Sequence, residues 1–97
     1  MTTEIARYHA QPGKADELAR GLTQAMDVFK RAEGCRSIRL SRSVEDDQLF
    51  MYEIEWISVE YHVEVFRKGP LFTEYRSHIT GLFVEPVDMM HFETIAH

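Results

Sequence analysis

Ninety-seven residues make one domain, and a chain this short buries a smaller share of its surface than a larger one, so many such domains gain stability by pairing. A formal net charge of −5 argues against nucleic acid as a partner, since that needs a basic stripe to neutralise phosphates. No run approaches the ~20 apolar residues that span a bilayer, and the single cysteine, Cys35, rules out an intrachain disulfide.

A reducing compartment suits a lone cysteine, and the N-terminus shows no basic region followed by an apolar block. The expected location is therefore cytoplasmic, with no membrane contact. Thr3 to Gln11 alternates loosely and is bounded by Pro12-Gly13, which predicts a first strand and a turn. Lys14 to Glu33 predicts a long helix. Leu18, Leu22, Ala25, Met26 and Phe29 recur at spacings of three and four and make one apolar stripe. Asp16 and Glu17 fall in its first turn and Lys30 and Arg31 in its last, the order the helix dipole favours. Gly34 is placed to end it in the left-handed conformation. Gly21, inside the helix, costs about 1 kcal/mol against alanine and is a candidate for close approach to another backbone.

Cys35 to Val44 predicts a second strand. Its Arg36, Arg39 and Arg42 recur every third residue, a spacing that does not hold one face of a strand. Glu45-Asp46-Asp47 is an acidic turn, and Gln48 to Ser58, ending in the only tryptophan, Trp56, predicts a third strand paired with the second as a hairpin. Two readings stand for the next segment. Val59, Tyr61, Val63 and Val65 alternate as on a strand, but a strand from Leu49 to Phe66 is far longer than the usual 3–10 residues. Ser58 suits an N-cap and Glu60 a first turn, and on a helix Val59, His62, Val63 and Phe66 share one side. Gly69-Pro70 breaks the chain, and Pro70 can open a new helix whose stripe is Leu71, Phe72, Tyr75, Ile79 and Leu82. Val87 to Ile95 predicts the last strand.

The order is β, α, β, β, α, β. Right-handed crossovers for both βαβ connections give a ferredoxin-like α+β sandwich: one antiparallel four-stranded sheet with helices on one face. Apolar residues on both faces, as in Leu49-Phe50-Met51-Tyr52 and Met89-Met90, imply that the far face is covered too. A second copy of the chain is the simplest cover, so a homodimer with sheet packed on sheet is expected.

The chain resembles the antibiotic biosynthesis monooxygenase family of dimeric α+β barrels. The resemblance rests on Pro12-Gly13-Lys14 leading into the long helix, Gly34 before the second strand, and Glu55-Trp56-Ile57-Ser58 followed by Glu60. Gly69-Pro70-Leu71-Phe72 looks like the family's Ser-Pro-His-Phe stretch. The resemblance favours the helical reading of 59–66. It implies a cofactor-independent oxygenase of small aromatic phenols, quinols or polyketide-like substrates, using O2 without metal or flavin. The haem-degrading branch of the family needs an asparagine, a tryptophan and a histidine. Ala6, Val65 or Phe66, and Tyr75 or Arg76 stand at those places, and the chain has no asparagine. The quinol-oxidising branch often has a histidine in the Pro-x-Phe stretch. Leu71 replaces it, with His62 nearby as a substitute.

His62 is the candidate base, because an imidazole near its free pKa of ~6.5 can take a proton at neutral pH. Otherwise it is a partly exposed helix histidine. Trp56 is a candidate wall for an aromatic substrate, or a core residue sealing the sheet. Arg76 is a candidate partner for a substrate anion, or a solvated surface arginine. Tyr52, Tyr75 and His78 are further candidates to line the site. The five histidines show no metal-ligand spacing, although His9 and His91 lie on neighbouring strands in this fold. No Gly-rich phosphate loop is present, so no nucleotide or flavin cofactor is expected. The competing expectation is a non-catalytic barrel that holds a small ligand or serves in assembly.

Overall fold

The computed structural model describes residues 1–97. Strand β1 (Thr2–His9) is followed by helix α1 (Ala15–Lys30), strands β2 (Cys35–Arg42) and β3 (Leu49–Trp56), a π-helical segment (Tyr61–Phe66), helix α2 (Pro70–Ser77) and strand β4 (Asp88–Phe92). The strands form one sheet in the order β2-β3-β1-β4, with every neighbouring pair antiparallel. Helices cover one face, so the arrangement is ferredoxin-like.

Alternation sets the two faces of the sheet. Phe50, Tyr52, Ile54 and Trp56 of β3, and Ala6 and Tyr8 of β1, are buried toward the helices. Helix α1 lays Leu18, Leu22, Ala25, Val28 and Phe29 on them. Each fully buried aliphatic side chain here contributes about 2 kcal/mol. Phe29 is an aromatic hub whose ring lies 5.3 Å from Tyr52, 5.1 Å from Phe66 and 4.8 Å from Tyr75.

The two glycines of the helical layer serve space, not backbone freedom. A Cβ on Gly21 would sit 2.3 Å from the backbone oxygen of His78, so α1 can approach the end of α2 only without a side chain there. Gly34 does not cap α1 in the left-handed conformation as expected. The helix ends at Lys30 with Arg31 still right-handed, and only Gly13 and Gly81 have positive φ. Gly34 is instead where the Tyr61 ring rests, 2.3 Å from where a Cβ would stand.

The segment after β3 is helical, and the strand-like alternation of its sequence is misleading. Val65 is 54% exposed, while His62 and Phe66, four residues apart, point inward. The Ser58 hydroxyl accepts from the Tyr61 N–H at 3.0 Å, as an N-cap does. The turn is wide: the Arg67 N–H donates to the His62 carbonyl, five residues back, at 3.0 Å. Such π turns often sit at functional sites.

Two of the three arginines of β2, Arg39 and Arg42, are engaged within the chain. A register shift between Cys35 and Ser37 takes Arg36 out of the ladder, Arg39 pairs with Glu53 at 2.8 Å, and Arg42 donates to the Asp47 carbonyl at 2.8 Å. The sheet face away from the helices carries Ile5, Met51, Met90 and Phe92, the last two 62% and 51% exposed, among Arg7, Arg39 and Glu53. No helix is long and apolar enough to cross a membrane.

Candidate active site

A cavity of about 160 Å³ lies between the sheet and the second crossover. Phe29, Phe66, Phe72, Tyr75, Val87 and Met89 provide most of its wall, and Glu4, His62, Arg67, Arg76 and Glu85 its charged or titratable groups. That volume is close to the ~150 Å³ of an apolar cavity that accepts a benzene ring.

Glu4 is the least expected of these groups. It shares the inward face of β1 with Ala6 and Tyr8 and is only 6% exposed. Its partners follow from the register. Ile54 of β3 and His91 of β4 stand directly opposite it on either side. Trp56 lies two residues beyond Ile54, on the same face, and its indole Nε1–H donates to Glu4 Oε1 at 2.9 Å. From above, the π turn lowers His62 until its Nε2 is 3.3 Å from the same oxygen. The other nitrogen of that ring, Nδ1, is 2.7 Å from Nε2 of His91. His62 also stacks on Trp56, with ring centres 4.7 Å apart and planes 11° from parallel.

Burial dominates the electrostatics. Loss of solvent pushes the Glu4 carboxyl from 4.5 up to about 7, and the Trp56 hydrogen bond and the nearby Arg67 charge only partly oppose it. The same loss of solvent pulls His62 from 6.5 down to about 4, helped by His91 and Arg67, and lowers His91 as well. Both imidazoles are therefore neutral at pH 7, where Glu4 is about half ionised. Burial also pushes the Tyr75 phenol up to about 12, with its bond to Tyr8 opposing. The Tyr8 and Tyr75 hydroxyls lie 2.6 Å apart. Arg76 pairs with Glu85 and lies 5.1 Å over the Phe83 ring, whereas Arg67 takes part in none of the chain's ion pairs.

The structure brings His62, Tyr75 and Arg76 to the cavity wall. Trp56 is one layer back, its face covered by the His62 ring. Tyr52 lies in the core between Tyr8 and Phe29, its hydroxyl donating to the Leu22 carbonyl, and His78 sits at the end of α2 against Gly21. Neither lines the cavity. His9 is exposed on the opposite sheet face from His91, so these two histidines do not meet. No group of three His, Cys, Asp or Glu side chains has an arrangement that could hold a metal ion.

The fold and this site can be set beside known proteins. A Bordetella bronchiseptica structure assigned as an antibiotic biosynthesis monooxygenase is 33% identical, with 98% of this chain and 97% of that chain covered at a TM-score of 0.91. SnoaB, a cofactor-independent oxygenase from Streptomyces nogalater, shares the fold at a TM-score of 0.83 and 16% identity, over 99% of this chain and 94% of its own. The uncharacterized protein YczJ of Bacillus subtilis is 23% identical over 98% of this chain and all of its own length. The sequence profile of the family described as antibiotic biosynthesis monooxygenase matches residues 1–77. The chain belongs to the antibiotic biosynthesis monooxygenase family.

Proposed function

We propose that this protein is a cofactor-independent monooxygenase of a small, one-ring phenol or quinol. The observation that carries this reading is Glu4: a buried carboxyl on an aromatic-walled cavity of about 160 Å³, held near neutrality by loss of solvent. A base whose pKa lies near the working pH is the efficient one for proton transfer. His62 lines the same cavity, but both its nitrogens are occupied, one by Glu4 and one by His91. Glu4 is thus the proton acceptor and His62 the group that backs it.

The reaction follows from those roles. A quinol hydroxyl gives its proton to Glu4. The quinolate passes one electron to O2, and the two radicals combine at the ring carbon beside the oxygen. The peroxide anion so formed takes the proton back from Glu4. Loss of the ring hydrogen, with cleavage of the O–O bond, then releases water and leaves a new carbonyl. The balance is quinol plus O2 to hydroxyquinone plus water, with no other oxidant or reductant. Arg67, which has no carboxylate partner, and Arg76 at the wall offset the negative charge that develops. Tyr75 remains a phenol and donates a hydrogen bond.

Oxygen uptake with a panel of hydroquinones and anthrones tests this reading. The expected result is uptake with one-ring quinols and a product gaining one oxygen. No uptake with any of them overturns it, and quenching of Trp56 fluorescence by the same phenols then identifies a binding module. The proposed working form is a cytoplasmic homodimer that covers Ile5, Met51, Met90 and Phe92 by packing sheet on sheet, since a small domain gains most from hiding such a face. Sedimentation at twice the chain mass of 11.4 kDa is expected. A stable species of single mass at micromolar concentration rules the pairing out.

A further inference from the structure

We infer that Glu4, His62 and His91 form a proton relay that exchanges the proton held by Glu4 with the edge strand of the sheet, outward while the quinolate forms and back when the peroxide is protonated. The inference rests on Glu4 as the proton acceptor and goes beyond it by assigning His91, which does not line the cavity, as a positioning and relay residue. Three observations support it. The chain is continuous: Glu4 Oε1 to His62 Nε2 is 3.3 Å, and His62 Nδ1 to His91 Nε2 is 2.7 Å. It runs from a residue 6% exposed, through one 3% exposed, to a histidine on β4 that is partly exposed. β4 pairs only with β1, so its outer edge is open. Glu4 is only 6% exposed, and a substrate ring in the cavity would lie against it, so exchange with solvent is served by a route through the protein.

Each contact needs one hydrogen between its two atoms, and this fixes the tautomers as a set. With Glu4 ionised, His62 carries its hydrogen on Nε2 and donates to the carboxylate. Its bare Nδ1 accepts from the Nε2–H of His91. With Glu4 protonated, the carboxyl donates to His62 Nε2, so His62 carries its hydrogen on Nδ1 and donates to His91 Nε2. His91 then holds its hydrogen on Nδ1. Passing from one set to the other moves a proton across three groups without charging either imidazole. The other groups near the chain are Arg67, Tyr75, Arg76 and Glu85 around the cavity, Trp56 on Glu4 Oε1, and Cys35, whose thiol is pushed up to about 11 chiefly by burial and secondarily by Glu4. None of them lies between the three.

Nitrogen-15 NMR of the histidine rings, on protein without substrate, tests the relay. The expected result is that His62 and His91 exchange tautomers together between pH 5 and 9, with a shared midpoint near 7 set by Glu4, and that Glu4→Gln removes the exchange. Tautomers that stay fixed, or a His91 that ignores Glu4, overturn the relay. This readout needs no turnover, so it stands or falls apart from the oxygenase reading. Once a substrate is found, His91→Gln, which keeps a hydrogen-bond donor but cannot pass a proton on, is expected to lower kcat about tenfold or more with KM unchanged. Free imidazole should restore part of it. Unchanged kcat in that variant equally overturns the relay.

Discussion

Replacing Glu4 by glutamine is expected to lower quinol turnover by about 100-fold or more, the range for loss of a positioned general base. The variant should still fold. Glutamine has nearly the same shape, and its carbonyl oxygen can accept the Trp56 indole N–H that now lies 2.9 Å from Glu4 Oε1. It also needs no buried charge. What it lacks is the capacity to take a proton. The discriminating comparison is with His62→Ala, which leaves the carboxyl in place but removes its backing. That variant is expected to lose less turnover than Glu4→Gln. If His62→Ala is the more damaging of the two under matched folding, the imidazole is the base and Glu4 merely orients it. Steady-state oxygen uptake, with circular dichroism to confirm the fold, decides between them.

The second large effect is on stability against pH, where Glu4 and His62 act in opposite directions. Glu4 rises from 4.5 to about 7 on folding. Between those values the folded chain holds a proton that the unfolded chain has released, so stability falls as pH rises across the window. His62 moves from 6.5 down to about 4. Between about 4 and 6.5 the unfolded chain holds the extra proton, so stability rises with pH. Each displacement is worth about 3 kcal/mol. The two windows overlap from about 4.5 to 6.5, and there the slopes offset each other, leaving this pair's contribution nearly flat. Burial is the first cause of both shifts, so each variant leaves its partner's slope in place. In its own profile, with only the His62 slope left, Glu4→Gln should gain stability as pH rises from about 4 to 6.5. His62→Gln should lose it from 4.5 to 7. Urea denaturation at a series of pH values reads both, and parallel profiles for the three proteins would contradict the assignment.

Most of the fold was legible because the patterns that set it are local. The stripe of α1, the acidic turn before β3 and the Gly69-Pro70 break each place an element without knowledge of its neighbours. Residues 59–66 read ambiguously for a physical reason. Val59 and Val65 are apolar yet 37% and 54% exposed, so the alternation they suggest does not report burial. The inward pair is His62 and Phe66, and only one of them is hydrophobic. The site was legible in part. Trp56 and His62 were singled out by residue type, and they do stack on each other. Nothing local in the sequence joins Glu4 and His91 into one site. Their juxtaposition depends on β1 pairing with β4 in one register, a long-range fact that no window of sequence contains. One signal was present: Glu4 shares its face with Ala6 and Tyr8, and a carboxylate on an inward face is either costly or useful. Tyr52 and His78 do not line the cavity, and the fold uses Tyr52 to fasten the sheet to α1 through Leu22.

The ionisation of Glu4 is the point on which the chemistry turns, and it can be measured without a substrate, from the carbon-13 shift of its side-chain carboxyl as pH is raised. A midpoint near 7, well above the ordinary 4.5, is the predicted result. A midpoint at or below 4.5 would mean a carboxylate fully ionised at neutral pH and too weak a base for this reaction, and would contradict the account.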